Sequence, residues 1–382
     1  MFTFIRTLFA ALLLVSGHAF AATVQDEHGT FTLDTAPQRI VVLELSFADA
    51  LAAVDVSPVG IADDNDATRI LPEVRAHLKP WQSVGTRAQP SLEAISALKP
   101  DLIIADSSRH AGIYAALRQI APVLLLKSRN ETYAENLQSA AIIGDVVGKK
   151  AQIQARLQQH KQKMAQWASQ LPKGTLVVFG TSREQQFNLH TQETYTGSVL
   201  TSLGLKVPAA MAGASMPSIG LEQLLALNPA WLLVAHYREE SIVKRWQQDP
   251  LWQMLTAAQE QQVASVDSNA WARMRGIFAA ERIASDTVKI VHHQPVFARH
   301  FRELAEDHHT VPLGVFAHLS RLLVTPCFRR GQRQIGHCAP VGHVTHVRVL
   351  SQMSDQNDFV NATCCHDESP YSVVLSLKTI TR

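Results

Sequence analysis

The apolar positions in the first part of the chain form short runs that alternate with helical stretches. Such runs lie at 39–43, 59–62, 101–105 and 123–126, and each is bounded by Pro, Gly, Asp or Ser. Short continuous apolar runs are typical of strands buried on both faces of a parallel sheet. Because residues 47–54 have a helical pattern between the first two runs, the sequence predicts βα units and an α/β fold.

One helical stretch differs from the others in length and position. Residues 149–171 contain no Gly or Pro, and Pro172 and Gly174 follow them. A helix of this length would extend roughly 34 Å. A second α/β set then begins, with apolar runs at 175–180, 231–235 and 262–266. The long helix could be one more covering helix, but its place between two similar sets favours a connection between two lobes.

An internal repeat supports two lobes. Residues 91–105 and 220–234 align without gaps, with identical residues at five places that include Glu93 and Glu222. Each copy predicts a short helix, a break at Pro, and a strand. Each Glu falls in the first turn of its helix, where the helix dipole alone would favour a carboxylate. The alternative is that the two residues form a matched pair of exposed anionic contacts, one on each lobe.

The first residues have the features of a secretory signal peptide. Arg6 precedes an apolar run at Leu8–Val15, and Ala19–Ala21 forms an A-x-A cleavage site. The run is shorter than the roughly 20 residues that a membrane-spanning helix needs, and no other stretch comes close. We therefore expect an exported protein that begins at Ala22 and is not embedded in a membrane.

Composition separates a tail from the body of the chain. All four cysteines and eight of the 17 histidines lie after Val296, where the only predicted element is a short helix at 297–306. The tail therefore either lies outside the fold or forms a metal-binding or interaction module that dominates function. Its candidate ligands are Cys327, His337, Cys338, His343, His346, Cys364, Cys365 and His366. Their spacing matches no standard zinc pattern.

These observations divide the chain into five segments. They are a signal peptide (1–21), an N-terminal α/β lobe (22–148), an inter-lobe helix (149–172), a C-terminal α/β lobe (173–295) and the tail (296–382). The formal net charge of +2 gives no reason to expect a nucleic-acid partner. The chain also lacks the sequence signatures of a nucleophile elbow, a zinc protease, a P-loop or a dinucleotide fold, which favours binding over catalysis.

The segment Val84–Ile95, which continues into Ala97–Ile104, resembles a hallmark of one protein family. This is the helical-backbone class (class III) of periplasmic solute-binding proteins, which serve siderophore and cobalamin importers. The similarity is strongest to its ferric citrate-binding members and extends from the signal peptide to about Pro295. The resemblance implies two Rossmann-like lobes with central sheets, joined by one rigid helix with the ligand between them. It also implies a monomer in the periplasm that docks Glu93 and Glu222 onto the dimeric permease of an ABC importer.

The candidate ligand contacts follow the predicted strands, because ligands of α/β sheets lie beyond the carboxyl ends of the strands. Arginines recur there, and guanidinium groups bind carboxylates with two parallel hydrogen bonds. The resemblance also assigns ligand contacts to Arg87 and Arg109. The complete predicted set is Arg87, Ser108, Arg109, Arg183, Tyr237, Arg238, Trp271 and Arg275. We therefore expect an anionic chelate, iron(III) dicitrate, with the iron held by citrate and with no metal ligand or cofactor supplied by the protein.

Overall fold

The computed structural model describes residues 21–293 and, in the tail, two strands at 345–350 and 359–364. The chain divides into two units, Met1–Arg299 and His300–Arg382. Apart from its last residue, the predicted signal peptide lies outside the described residues, and so does the predicted helix at 297–306.

The first lobe is built around a five-stranded sheet of order β5-β4-β3-β6-β7, in which all strands are parallel. A separate hairpin of β1 and β2 precedes it. The strands are β1 (Ala22–Asp26), β2 (Gly29–Leu33), β3 (Ile40–Val42), β4 (Gly60–Ile61), β5 (Gln82–Ser83), β6 (Leu102–Asp106) and β7 (Val123–Leu126). The helices are α1 (Leu45–Ala52), α2 (Pro72–Arg75), α3 (Leu92–Ala97), α4 (Tyr114–Ile120) and α5 (Tyr133–Val146).

The second lobe contains a five-stranded sheet of order β10-β9-β8-β11-β12. Strands β8, β11 and β12 are parallel, whereas β9 pairs antiparallel with both of its neighbours. The strands are β8 (Val177–Ser182), β9 (Phe187–His190), β10 (Ser218–Ile219), β11 (Trp231–His236) and β12 (Val263–Val266). The helices are α7 (Tyr195–Ser202), α8 (Leu221–Leu227), α9 (Ile242–Trp246), α10 (Thr256–Gln259) and α11 (Ile277–Val291).

The helix α6 (Lys150–Ala168) lies between the two lobes in sequence and contains no Gly or Pro, as noted above. Its residues pack against α5 of the first lobe and α11 of the second. A shared hydrophobic core joins the lobes, because Phe47 of α1, Ile143 of α5 and Ile283 of α11 belong to one buried cluster. The predicted α/β class with two central sheets joined by one long helix is confirmed, and the second sheet is mixed because β9 is antiparallel.

A group of charges also fastens α6 to α11. Glu281 of α11 pairs with Arg156 at 2.7 Å, His160 at 3.0 Å and Lys163 at 3.1 Å. The hydroxyl of Tyr133 contacts the other ring nitrogen of His160. Burial alone would raise the pKa of Glu281, but the hydrogen bonds from His160 and Arg156 outweigh it and lower this pKa to about 2. We call these residues the spine cluster.

The start of α11 is held by a residue of the first lobe. Asp49 of α1 is fully buried and accepts hydrogen bonds from the main-chain N–H groups of Phe278 and Ala279, at 3.2 and 3.3 Å. Gly276 precedes the helix with φ 137°, and a Cβ there would lie 2.1 Å from the Asp49 carboxyl carbon. A side chain at this position would therefore separate Asp49 from the helix that it caps.

The second unit contains an antiparallel hairpin of β13 (Thr345–Leu350) and β14 (Phe359–Cys364). The sequence predicts no strand there, so the hairpin differs from the prediction for the tail. Apolar residues alternate with polar ones at Val347 and Val349, and this alternation has the period of a strand.

Candidate ligand-binding cleft

Asp106, at the carboxyl end of β6, organises the loops at one edge of the first sheet. Its Oδ1 accepts hydrogen bonds from the main-chain N–H groups of Ser108 and Arg109, at 3.0 and 2.5 Å. Its Oδ2 accepts from those of Ser128 and Arg129, at 2.7 and 2.8 Å. Burial raises the pKa of Asp106, but these hydrogen bonds outweigh it and the pKa falls below its usual value. The carboxylate therefore stays charged and fixes both loops.

Arg87 is held in place from two sides. Its guanidinium donates to Oδ2 of Asp64 at 2.7 and 3.1 Å, and its main-chain N–H donates to Oδ1 at 3.0 Å. His110 is buried, its Nδ1 accepts from the N–H of Asp106 at 2.9 Å, and its Nε2 lies 2.8 Å from the carbonyl oxygen of Arg87. Since Nδ1 accepts, Nε2 carries the proton and donates. His110 thus ties the Arg87 loop to β6.

Glu44 follows β3 at the same edge of the first sheet, and 1% of its side-chain surface is exposed. Its Oε1 lies 2.6 Å from Nε of Arg109, and its Oε2 lies 4.0 Å from Nη1 of Arg87. Burial raises the pKa of Glu44, and the positive charges of Arg109, Arg87 and Arg275 only partly counteract this effect. Three arginines therefore surround one buried carboxyl group.

Residues of both lobes meet at this edge. Arg275, just before α11, donates from Nη1 to the carbonyl oxygen of Ser128 at 3.0 Å. Arg87 approaches the carbonyl oxygen of Arg273, with 3.4 Å between Nη1 and the oxygen. A pocket beside Arg275 is lined by Glu131 of the first lobe and His190 of the second, among others. This cleft is the place where a ligand could contact both lobes.

An aromatic wall lies on the second lobe at the end of β11. Tyr237 is flanked by two guanidinium groups, from Arg183 at 5.1 Å and Arg273 at 4.3 Å from its ring centre. Such cation–π contacts hold planar cations against a ring while leaving their N–H groups available for hydrogen bonds. The predicted residues Arg183 and Tyr237 are therefore neighbours in space.

Two further buried groups of the pocket are neutral near pH 7. Burial raises the pKa of Glu131 to about 8, against the opposing charge of Arg275 and a hydrogen bond from Asn136. Burial lowers the pKa of His190 to about 3, and the charge of Arg275 adds to this shift. The fixed charges of the cleft are thus dominated by its arginines.

The structure brings together most, but not all, of the predicted ligand contacts. Arg87, Arg109 and Arg275 converge around Glu44. Ser108 is exposed and donates its hydroxyl to Asp106 at 2.8 Å, which makes it part of the loop framework. Arg238 is exposed and forms no ion pair or hydrogen bond with the described residues.

Trp271 does not fit the role predicted for it. The side chain is completely buried, packs 5.3 Å from the ring of Phe179 and donates its Nε1–H to Asp286 at 3.3 Å. It lies in a π-helical turn at Asn269–Arg273 that directs the ring into the core. Trp271 is therefore a core residue in this conformation, and its neighbour Arg273 presents its side chain to Tyr237 instead.

Sequence reasoning missed Glu44, Glu131 and Arg273. Glu44 and Glu131 follow β3 and β7, so the strand-end rule would have found them if it had been applied to those strands as well. Arginines and hydroxyls are the groups that attract an anion, and a carboxylate has the opposite charge. A buried carboxylate that pairs with those arginines was not among the expected side chains.

Glu93 and Glu222 lie in the first turns of α3 and α8, and both side chains are exposed. Within the described residues, no group of three or more His, Cys, Asp or Glu side chains could hold a metal ion. The candidate metal ligands of the tail lie outside the residues whose side chains are described. In the same part of the chain, no helix has both the length and the apolar character needed to cross a bilayer.

Two α/β lobes, one connecting helix and a cationic cleft between the lobes define a two-lobed solute-binding protein. The profile of a periplasmic binding protein family matches residues 35–270. The chain belongs to this family.

Two curated relatives are similar to this chain over most of its length. The Fe(3+) dicitrate-binding periplasmic protein FecB of Escherichia coli K12 is 88% identical over 296 residues, which cover 78% of this chain and 99% of FecB. The Fe(3+)-citrate-binding protein YfmC of Bacillus subtilis is 39% identical over 273 residues, which cover 71% of this chain and 86% of YfmC. These relatives are named as binding proteins.

Solved structures agree with the fold. The complex of Staphylococcus aureus SirA with staphyloferrin B has a TM-score of 0.62 at 21% sequence identity, and the match covers 71% of this chain and 98% of SirA. The petrobactin-binding protein YclQ of Bacillus subtilis has a TM-score of 0.60 at 20% identity, with 71% of this chain and 99% of YclQ covered. The predicted class III fold, with two α/β lobes joined by one helix, is confirmed.

Proposed function

We propose that the protein captures ferric citrate in the periplasm, as a monomer, and delivers it to an inner-membrane ABC permease. The observation that carries this proposal is the convergence of Arg87, Arg109 and Arg275, from both lobes, around a single buried carboxyl group. Excess fixed positive charge in a partly desolvated cleft favours a ligand with several carboxylates. The names of the relatives FecB and YfmC agree with this ligand.

The proposed ligand leaves the iron outside the protein's own coordination. Fe³⁺ prefers oxygen ligands, and citrate supplies them. The protein then needs only to recognise the outer carboxylates and the charge of the chelate. We propose Arg87, Arg109 and Arg275 as the principal contacts, with Arg183 and Tyr237 as a second-lobe wall and with Ser108 and Arg238 at the periphery. No covalent step is part of this function.

Titration of intrinsic tryptophan fluorescence tests the ligand. Ferric citrate should bind tightly, whereas a neutral ferric hydroxamate should bind far more weakly because it offers no carboxylate to the arginines. Iron-free citrate is measured in parallel, since it separates recognition of citrate from recognition of the chelate. Equal affinity for the neutral chelate would contradict the proposal. Truncation after Pro295 tests the alternative in which the tail dominates, because binding should survive it.

We further propose that Glu93 and Glu222 contact the permease. Both are exposed at equivalent places in the repeat, one on each lobe, and neither is among the residues that converge on the cleft. A matched pair of carboxylates on two lobes suits a receptor with two similar subunits that each offer a basic contact. Binding and delivery should therefore depend on different residues.

The double variant Glu93→Ala/Glu222→Ala separates the two activities. Chelate affinity should stay within about threefold of the parent, because charges that are exposed and distant are screened by salt. Iron uptake by cells that lack their own binding protein should fall to a small fraction. The matched control is Glu27→Ala/Glu260→Ala, which removes one exposed carboxylate from each lobe outside the repeat. Normal uptake in the first variant, or equal loss in both, would contradict the docking role.

A further inference from the structure

The cleft contains a buried acid at the place where an anion is expected to bind. Glu44 is 1% exposed, and its Oε1 lies 2.6 Å from Nε of Arg109 with the geometry of an ion pair rather than of a hydrogen bond. A carboxylate buried without hydrogen bonds depends on nearby positive charge for its stability. Glu44 is therefore the internal counter-ion of the cleft arginines.

The groups that face Glu44 come from several elements. They are Asp106 at the end of β6, Arg109 after β6, Arg87 from the loop before α3, Arg275 from the loop before α11, and Glu131 after β7. Asp106 already accepts four main-chain hydrogen bonds, which keep it ionised. The negative charge of Asp106 and the burial of Glu44 both oppose the ionised form of Glu44, while the three arginines support it.

A bound polyanion would favour the protonated form of Glu44. Its carboxylates would compete with Glu44 for Arg109 and Arg87, and they would add negative charge within a few ångströms of it. Both effects favour the protonated form of a carboxyl group, because like charges in a poorly solvated site repel strongly. Arg87 also keeps Asp64 as a partner, so Glu44 is the cleft carboxylate that the ligand displaces.

We propose that Glu44 takes up one proton from solvent when the anionic chelate binds, so that the cleft exchanges an internal counter-ion for an external one. The chelate itself undergoes no bond change in this step. The inference rests on the proposed function and adds to it a positioning residue that sets the charge of the site. Before binding, Glu44 keeps the buried arginines paired, and after binding its neutral carboxyl group no longer repels the ligand.

Calorimetric titration tests the proton directly. Ferric citrate is titrated into the parent and into Glu44→Gln at one pH, in phosphate and in Tris, which differ in their heat of ionisation. The parent should take up close to one proton more than the variant. The ratio of the parent's association constant to that of the variant should also fall as pH rises, by at most about tenfold per pH unit. Comparison of the two proteins cancels protons bound or released by the chelate.

Glu131→Gln serves as the matched control, since it removes another buried carboxyl group that, like Glu44, lies in the field of Arg275. Proton uptake should persist in this variant. Uptake that disappears in Glu131→Gln, or that is equal in the parent and Glu44→Gln, would overturn the role of Glu44. The absence of any binding by the parent would instead contradict the proposed function.

A second measurement keeps the inference testable if Glu44→Gln does not fold. Infrared difference spectra of isotope-labelled parent protein with unlabelled ferric citrate distinguish protein carboxyl groups from those of the ligand. Binding should add the carbonyl stretch of one protonated carboxyl group, and the same band should appear in labelled Glu131→Gln. A spectrum without that band would overturn the proposal.

Discussion

The spine cluster and the cleft use the same kinds of side chain with opposite results. In the spine cluster one carboxylate, Glu281, has an arginine, a histidine and a lysine as partners, and its pKa falls to about 2. In the cleft, Glu131 has a pKa raised to about 8, and Glu44 is also raised above its usual value, although arginines are close to both. The difference lies in hydrogen bonds, because Glu281 accepts several and Glu44 has none in the described residues.

This contrast separates charges that stabilise the fold from charges that serve a ligand. A buried ion group stabilises a protein only when its remaining hydrogen-bonding capacity is satisfied. The spine cluster meets this condition and joins α6 to α11. The cleft does not meet it, and its arginines therefore retain affinity for an external carboxylate. Perturbed pKa values of this second kind are typical of functional sites.

The largest expected effect comes from removing one guanidinium from each region. Arg109→Ala should weaken ferric citrate binding by roughly 10- to 150-fold, because a hydrogen bond to a charged group is worth about 1.5–3 kcal/mol. Arg156→Ala should leave the dissociation constant within about twofold of the parent and lower the midpoint of urea unfolding instead. Fluorescence titration of both variants measures the dissociation constant, and urea denaturation measures the midpoint of unfolding. The comparison fails if Arg156→Ala loses as much affinity as Arg109→Ala.

Removal of the spine carboxylate should affect stability by a smaller amount. Glu281→Gln should lose about 2 kcal/mol of unfolding free energy at pH 7, after allowance for solvent screening of its partners. The pKa of Glu281 is lowered in the folded state. Its contribution to the free energy of unfolding is therefore present above about pH 4.5 and is lost as the pH falls through about 2. Urea unfolding of parent and variant at several pH values should give curves that converge at low pH. A constant difference would show that packing, and not charge, causes the loss.

The third expected effect has the opposite sign. The pKa of Glu131 is raised in the folded state to about 8, so the stability of the parent should decline as pH rises from about 4.5 to about 8. Glu131→Gln resembles the protonated acid and should avoid this decline. The variant should match the parent near pH 4 and be more stable than the parent at pH 8, because the parent must then ionise a buried carboxyl group. A variant that is less stable than the parent at pH 8 would place Glu131 with the stabilising charges of the spine.

Much of the fold could be predicted from short-range pattern. Strands such as β7 and the long helix α6 came directly from apolar runs and from the absence of Gly and Pro. The antiparallel strand β9 did not, because Phe187–His190 has a pattern too short to distinguish from a loop. The direction of a strand beside its neighbours depends on contacts that are remote in sequence.

The candidate site was predictable in its composition but not in its pairing. Arg87 was identified from its loop before the first repeat helix and from the family resemblance, whereas position after a strand was enough for Arg109 and Arg275. It could not show that Glu44 lies among them, since the three arginines come from loops that are up to 188 positions apart in the chain. Trp271 shows the converse limit. A residue after a strand can be turned into the core by one helical turn, and sequence alone does not reveal that rotation.

The cap that Asp49 provides for α11 has a kinetic consequence for the ligand. A wide separation of the lobes would remove the acceptor from the N–H groups of Phe278 and Ala279, and each buried donor left unpaired costs about 1–3 kcal/mol. Access to the site then depends on the mouth of the cleft, where Tyr237 is held between two guanidiniums. Side chains change rotamer within nanoseconds, whereas domains move over microseconds to milliseconds. We therefore expect substitutions of Arg183, Tyr237 and Arg273 to change the residence time of the ligand.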